Sequence, residues 1–262
     1  MIIIGEKLNS SRKSVLEAVR DRDAAFISGL AEAQEKAGAA WLDINAAMLP
    51  DEADSLIWMG EVCRSVSSLP LCLDSPDHRV TETALMRLGG KCMINSITLE
   101  HDRFDNMLRL TRQFGCPVVA LCMDDEGMPE TVGDRVRIAG TLFDRLTAAG
   151  VPAEDIYIDP MISPVGAVET AGNDALEAIR KISGFGVHCV CGLSNISYGL
   201  PARGWLNAAF MVAAIVSGLD SAIADPMDKR LMRMVLAAEA VLGKDEYCEN
   251  YIDAFRDGFF VD

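Results

Sequence analysis

Residues 41–45 read Trp-Leu-Asp-Ile-Asn, a short apolar run that ends on a carboxyl and an amide, and the same design recurs along the chain. LCLD ends at Asp74, MIN at Asn95, YID at Asp159, VCGLSN at Asn195 and AIAD at Asp225. Runs this apolar suit parallel strands buried on both faces. Between them apolar residues return at helical spacing, as in Phe26, Leu30 and Ala33, or Val136, Ala139 and Phe143. The reading predicts strands at 2–5, 41–45, 71–74, 92–95, 118–122, 156–159, 187–191 and 222–224. It predicts helices at 23–37, 54–66, 80–88, 103–114, 133–149, 174–182, 205–217 and 229–242.

Eight strand–helix repeats with short connections and no Pro/Gly/Ser-rich linker point to a (β/α)8 TIM barrel, a single α/β domain spanning residues 1–262. Gly38, Gly89, Gly115, Gly150, Gly184 and Gly218 fall where helices should stop, since a helix C-terminus favours a residue that tolerates a left-handed backbone. A doubly wound open sheet is the structural alternative. It is disfavoured because GEKLN after the first strand has a single glycine and no G-x-G-x-x-G phosphate cradle.

Half of the 262 residues are apolar and about a quarter are charged, enough to bury a large core. The net charge of −15 comes with scattered basic residues, so no nucleic-acid partner is expected. Eight cysteines sit singly in apolar runs or on helices, and the three histidines (78, 101 and 188) are not spaced as ligands. The expectation is therefore reduced thiols, a cytoplasmic protein and no bound metal. The N-terminal MIIIGEKLNSSRK has too short an apolar stretch for a signal peptide. Residues 205–219 fall short of a membrane span, and no membrane partner is expected.

In a parallel barrel, ligands sit at the carboxyl ends of the strands. Asp74, Asn95 and Asp159 would stand there. Carboxylates accept parallel N–H donors while an amide offers both donors and an acceptor, which matches the 2-amino-4-oxo-pyrimidine edge of a pterin. Strand-terminal Asp and Asn also cap helices or start turns, and Asp225 is expected to be such a cap. Asp43 and Asn45, two apart, share the barrel's inner face, either behind the ligand contacts or as a polar layer supporting the loops. Glu6 and Asn9 have the same two readings. In Gly192-Leu193-Ser194-Asn195-Ile196-Ser197, Gly192 lets backbone approach a flat ligand and Asn195 projects an amide.

MIIIGEKLN, WLDIN, CLDS, MINS, YIDPMI and GLSNIS, in this order, resemble the pterin-binding methyltransferases that move a methyl group between tetrahydrofolate and a corrinoid protein. The resemblance spans essentially the whole chain. It implies that Asp74, Asn95 and Asp159 hold the pterin, with Gly192, Ser194 and Arg203 completing the pocket. It implies that Asn195 is the catalytic residue, bonding N5, which carries the methyl. Tetrahydrofolate or 5-methyltetrahydrofolate would be the substrate, and the cobalamin (corrinoid) would arrive on a partner protein. Tyr198 departs from the family, whose acetogen enzymes tend to have glutamine there. Dihydropteroate synthase is a related alternative, disfavoured because Asp159-Pro160 continues as MISPVGAVET without a lysine. A non-catalytic folate-binding module is another.

The helices at 205–217 and 229–242 are apolar around much of their circumference. The family's dimer implies a homodimer through this face, with Met211 and Met234 on it. The alternative cover is the tail 247–260, rich in aromatic side chains.

Overall fold

Ile4, Trp41, Cys72, Met93, Val119, Tyr157 and Val190 form a small apolar cluster enclosed by a ring of strands, apart from the main core between strands and helices. Two separate cores arise when every strand is buried on both faces. The computed structural model, which describes residues 1–261, begins with β1 (Ile2–Asn9), α1 (Lys13–Arg20), α2 (Ala24–Lys36), β2 (Trp41–Asn45) and α3 (Glu52–Val66). It continues with β3 (Leu71–Asp74), α4 (His78–Leu88), β4 (Cys92–Ile97), α5 (His101–Phe114), β5 (Val118–Leu121) and α6 (Val132–Ala148). The last elements are β6 (Ile156–Asp159), α7 (Ala171–Ile182), β7 (His188–Cys189), α8 (Arg203–Ser217), β8 (Ser221–Ala224), α9 (Lys229–Val241) and α10 (Glu249–Arg256).

All neighbouring strands run parallel in the order β7-β6-β5-β4-β3-β2-β1-β8. The amide of Ile223 donates to the carbonyl of Cys191 (2.9 Å), which joins β8 to the chain just past β7 and closes the ring. The expected (β/α)8 barrel is the fold.

Several boundaries differ for local reasons. β1 runs on to Asn9 because, after a register shift beyond Gly5, Leu8 and Asn9 pair with Ile44 and Asn45. β7 keeps only two ladder residues. Helices α1 and α10 are additional to the expected set. Five of the six helix-ending glycines do adopt positive φ, from 58° at Gly89 to 111° at Gly218. Gly184 does not; α7 runs into a 3-10 turn at Ser183–Phe185, and Gly186 (φ 77°) reverses the chain instead. Asp225 is not the cap of α9. That place belongs to Asp228, whose carboxylate accepts from the amides of Arg230 and Leu231.

The outer surface also corrects one expectation. Met211 is fully buried, on the side of α8 that faces the barrel, whereas Val216 is 61% exposed. The tail lies along α9: Arg233 donates to the carbonyls of Phe259 and Val261, and Tyr251 packs on Phe260 with ring centroids 4.7 Å apart. Among the described residues, no helix is long and apolar enough to cross a membrane.

The closed end of the barrel is finished by polar groups. Tyr157 stacks on His188 (centroids 4.4 Å apart), and His188 Nδ1 pairs with Asp220 Oδ2 at 2.8 Å. That hydrogen bond raises the His188 pKa. A histidine raised in the folded state contributes stability fully present below its unfolded pKa and lost as pH rises through the folded one. The melting temperature of Asp220→Asn should therefore fall below that of the unmodified protein by more at pH 6 than at pH 8.5. An equal difference at both pH values would show that the charge on His188 is immaterial.

Candidate active site at the barrel mouth

Parallel register sets the site. Asn45 pairs with Asp74, and Asp74 with Asn95, so the ends of β2 and β3 stand level with Asn95, which is not the strand end expected from the sequence because β4 runs on to Ile97. Asp159 ends β6 and pairs with Leu121 on β5. Because side chains alternate along a strand, Asp43 lies one layer below Asn45 on the same face.

These groups bond to one another. Asn45 Nδ2 donates to Asp74 Oδ2 (2.9 Å), while its Oδ1 accepts from Ser10 Oγ (2.9 Å) and the Ala47 amide (3.1 Å). Asn95 Nδ2 donates to Asp43 Oδ1 at 3.2 Å. Asp159 accepts from two backbone amides, Met161 at 2.7 Å and Gly192 at 3.3 Å. The cup's floor and walls are thus oriented before any ligand arrives.

The loop after β7 closes the remaining side. Ser194 Oγ donates to Glu6 Oε1 (2.9 Å), which also accepts from Arg12 Nη2 (3.0 Å). Arg203 donates from Nε to Ser197 Oγ (3.0 Å) and from Nη2 to the Ser194 carbonyl (2.6 Å), so it fastens the loop. Asn195 is exposed, and its side chain has no hydrogen bond within the described residues. Gly192 has an ordinary negative φ, and a Cβ there would sit 3.0 Å from Asn195 Nδ2, so a larger residue would push the Asn195 amide aside.

Asn9 is not drawn into the cup, since its Oδ1 accepts locally from the Ser11 amide. Asp225 is drawn in: Lys7 Nζ donates to its Oδ2 at 2.7 Å across the β1–β8 seam. Lys7 and Arg103 stand outside the set expected from the sequence. Lys7 carried a signal, being adjacent to Glu6 at the end of an apolar run. Arg103 carried none, being one basic residue in a polar helix turn.

Burial dominates the electrostatics. It raises the carboxyl pKa of Glu6, Asp43, Asp74 and Asp159. Asp43, 2% exposed, is pushed up well above the usual range, and the neighbouring charge on Asp74 adds to burial. At Asp74 the Asn45 amide and then the Arg103 cation act against burial. Asp159 is pushed up to about 6, its two amide donors resisting. Chemically the mouth is rich in acceptors and poor in donors, a fit for a neutral ring that presents N–H groups. Among the described residues no cluster of His, Cys, Asp and Glu is arranged to hold a metal ion.

Residues 5–225 match the family described as pterin binding enzyme. The chain belongs to this family. It is 35% identical over 266 residues to the methylcorrinoid:tetrahydrofolate methyltransferase of Eubacterium limosum, covering 98% of this chain and 97% of that one. The methionine synthase of Mycobacterium tuberculosis is 34% identical over 240 residues, 85% of this chain but 20% of the larger protein. In fold the chain is similar to dihydropteroate synthases, from Yersinia pestis (TM-score 0.67, 15% identity, 93% of this chain and 94% of that one) and Thermus thermophilus (0.64, 22%, 90% and 93%).

The raised carboxyls carry a stability consequence. A carboxyl whose folded pKa exceeds its unfolded value binds its proton more tightly in the native state, so stability falls as pH rises through the folded pKa. For Asp159, a rise from 3.8 to about 6 corresponds to ~3 kcal/mol between the fully protonated and fully ionised limits. Asp77, held down to about 2 chiefly by Arg79, acts in the opposite sense but only below about pH 4. The unliganded protein should melt higher at pH 4.5 than at pH 7.5, and Asp159→Asn should flatten that slope. A melting temperature that climbs with pH across this range would contradict the assignment.

Proposed function

We propose that the mouth binds tetrahydrofolate and that the protein moves a methyl group between its N5 and the cobalt of a corrinoid carried by a separate protein. The observation that carries this reading is Asn195: an exposed amide without a side-chain hydrogen bond within the described residues, beside a cup whose polar groups already orient one another. The near-full-length similarity to a methylcorrinoid:tetrahydrofolate methyltransferase supports it. Asp74, Asn95 and Asp159 take the 2-amino-4-oxo edge of the pterin. Ser194 and Arg203 hold the loop that carries Asn195, and Glu6, Asp43 and Asn45 orient the ligand contacts from behind. Asn9 helps turn the loop after β1.

The chemistry needs such an amide. When N5 receives the methyl, its lone pair forms the N–C bond, the cobalt–carbon electron pair stays on cobalt, and the N5 proton departs. In reverse, N5 must gain a proton or hydrogen bond as its methyl leaves. An amide serves both states without titrating, accepting from N5–H or donating to its lone pair. A dihydropteroate synthase reading is less supported, because the loop after Asp159 has no basic residue for a departing pyrophosphate.

The rim suits a macromolecular donor. Met48 (63% exposed), Tyr198 (69%), Met128 and Met227 rise from four different loops around the mouth, forming apolar points on an acidic protein where a corrinoid protein would dock. Buried, unpaired thiols support a cytoplasmic setting. A homodimer would use the outer face of α8 and α9, where Val216 and Val241 stay exposed after the tail has covered the other flank of α9. Met234 borders this face.

Methyl exchange between methylcob(III)alamin or cob(I)alamin and the folate, followed through the cobalt spectrum, is the test. Asn195→Ala should slow single-turnover transfer about a hundredfold at saturating folate. Restoration of the full rate by saturation would reduce Asn195 to a binding residue. Asp74→Ala should weaken folate binding by about 1.5–3 kcal/mol, the scale of a charged hydrogen bond. For assembly, light scattering should give twice the 28.3 kDa chain mass. Val216→Arg should halve that mass without loss of folate binding. A single-chain mass for the unmodified protein would exclude the dimer.

A further inference from the structure

Arg103, in the first turn of α5, sends its guanidinium back to the end of β3 and the last residues of β4. Its Nη2 donates to the carbonyls of Ser96 (2.9 Å) and Ser75 (3.4 Å), and its Nη1 to that of Pro76. Ser75 follows Asp74 directly, and Ser96 follows Asn95. One side chain therefore ties the backbone of β4 to the β3–α4 loop immediately behind two residues of the cup. The Nε is buried without a hydrogen-bond partner within the described residues, and desolvating a guanidinium is costly.

The Arg103 charge bears on two carboxylates, Glu100 at the start of α5 first and then Asp74. Four groups bear on Asp74: the Asn45 amide from β2, the carboxyl of Asp43 one layer below it, Glu52 from α3, and Arg103 from α5. Two are acids and one is neutral, so Arg103 supplies the positive field. Asp74 must be ionised to accept two N–H donors from a ring.

We propose that Arg103 is a positioning residue of the pterin pocket, holding Asp74 and Asn95 at one level and keeping the Asp74 carboxylate ionised for the ring's donors. This rests on the folate reading above, and the experiment separates the two. Tetrahydrofolate affinity is measured by calorimetry from pH 6 to 8.5 for the unmodified protein, Arg103→Gln and Arg103→Lys, alongside a carboxyl-carbon NMR titration of Asp74 without ligand. Arg103→Gln should bind at least tenfold more weakly at pH 6.5 and recover as pH rises, because Asp74, deprived of its countercharge, ionises later. Its Asp74 titration should move to higher pH in the unliganded protein. Arg103→Lys keeps the charge but lacks the fork to span three carbonyls, so it should bind several-fold more weakly at every pH with an unmoved titration.

A folded Arg103→Gln protein with an unmoved Asp74 titration overturns the electrostatic role, and a uniform, pH-independent loss of affinity does the same. Unchanged affinity in both variants overturns the positioning role. If no variant binds the folate while the Asp74 titration shifts as expected, the folate reading fails and the countercharge role stands.

Discussion

Removal of carboxyl groups from water at the open end of a parallel barrel is the constraint on which the rest of this structure depends. Asp43, Asp74, Asp159 and Glu6 lie where strand ends, loops and neighbouring side chains keep solvent away, and burial is the first cause of the raised pKa at each. The surroundings answer with amides more than with cations: Asn95 for Asp43, Asn45 for Asp74, two backbone N–H groups for Asp159. Dipoles orient a carboxyl and still leave lone pairs free. A donor-bearing ring would fill that unused acceptor capacity. Binding and stability are opposed here, since groups that destabilise the empty protein at neutral pH are those that would grip the ligand.

Much of this was legible in the residues because a parallel barrel hides both faces of each strand. Its strands must read as unbroken apolar runs, and polarity returns where the strand meets its loop, as at Asp74 and Asp159, whereas Asn95 stands inside a strand that continues to Ile97. β1 was harder. Glu6 and Lys7 interrupt the apolar run, yet the strand continues past them, because both find opposite charge at the seam, in Arg12 and Asp225. The pair Asp225 and Asp228 shows a second limit. Both stand before α9 and both carry a capping side chain, but only the backbone decides which carboxylate faces the free amides of the first turn.

Packing against a neighbour is not written in one helix's periodicity. α8 is apolar almost all round, so its sequence alone does not say that Met211 turns inward while Val216 turns outward. Arg103 was illegible for a different reason: its partners are main-chain carbonyls of Ser75, Pro76 and Ser96, which every sequence possesses. Side-chain-to-backbone bonds across loops leave no mark in residue identity. Asn195 lies between these cases, its type readable from GLSNIS but its freedom from other partners visible only in three dimensions.

The central claim, that ring N–H donors fill the buried acceptors of the mouth, is tested most directly by the protons released on binding. Tetrahydrofolate is titrated calorimetrically at pH 6, close to where burial pushes the Asp159 carboxyl, in buffers of different ionisation enthalpy. Donors arriving at Asp159 and Asp74 favour the ionised forms, so the account predicts net proton release, diminished in Asp159→Asn. Tight binding with no proton exchange, or with proton uptake, would contradict it.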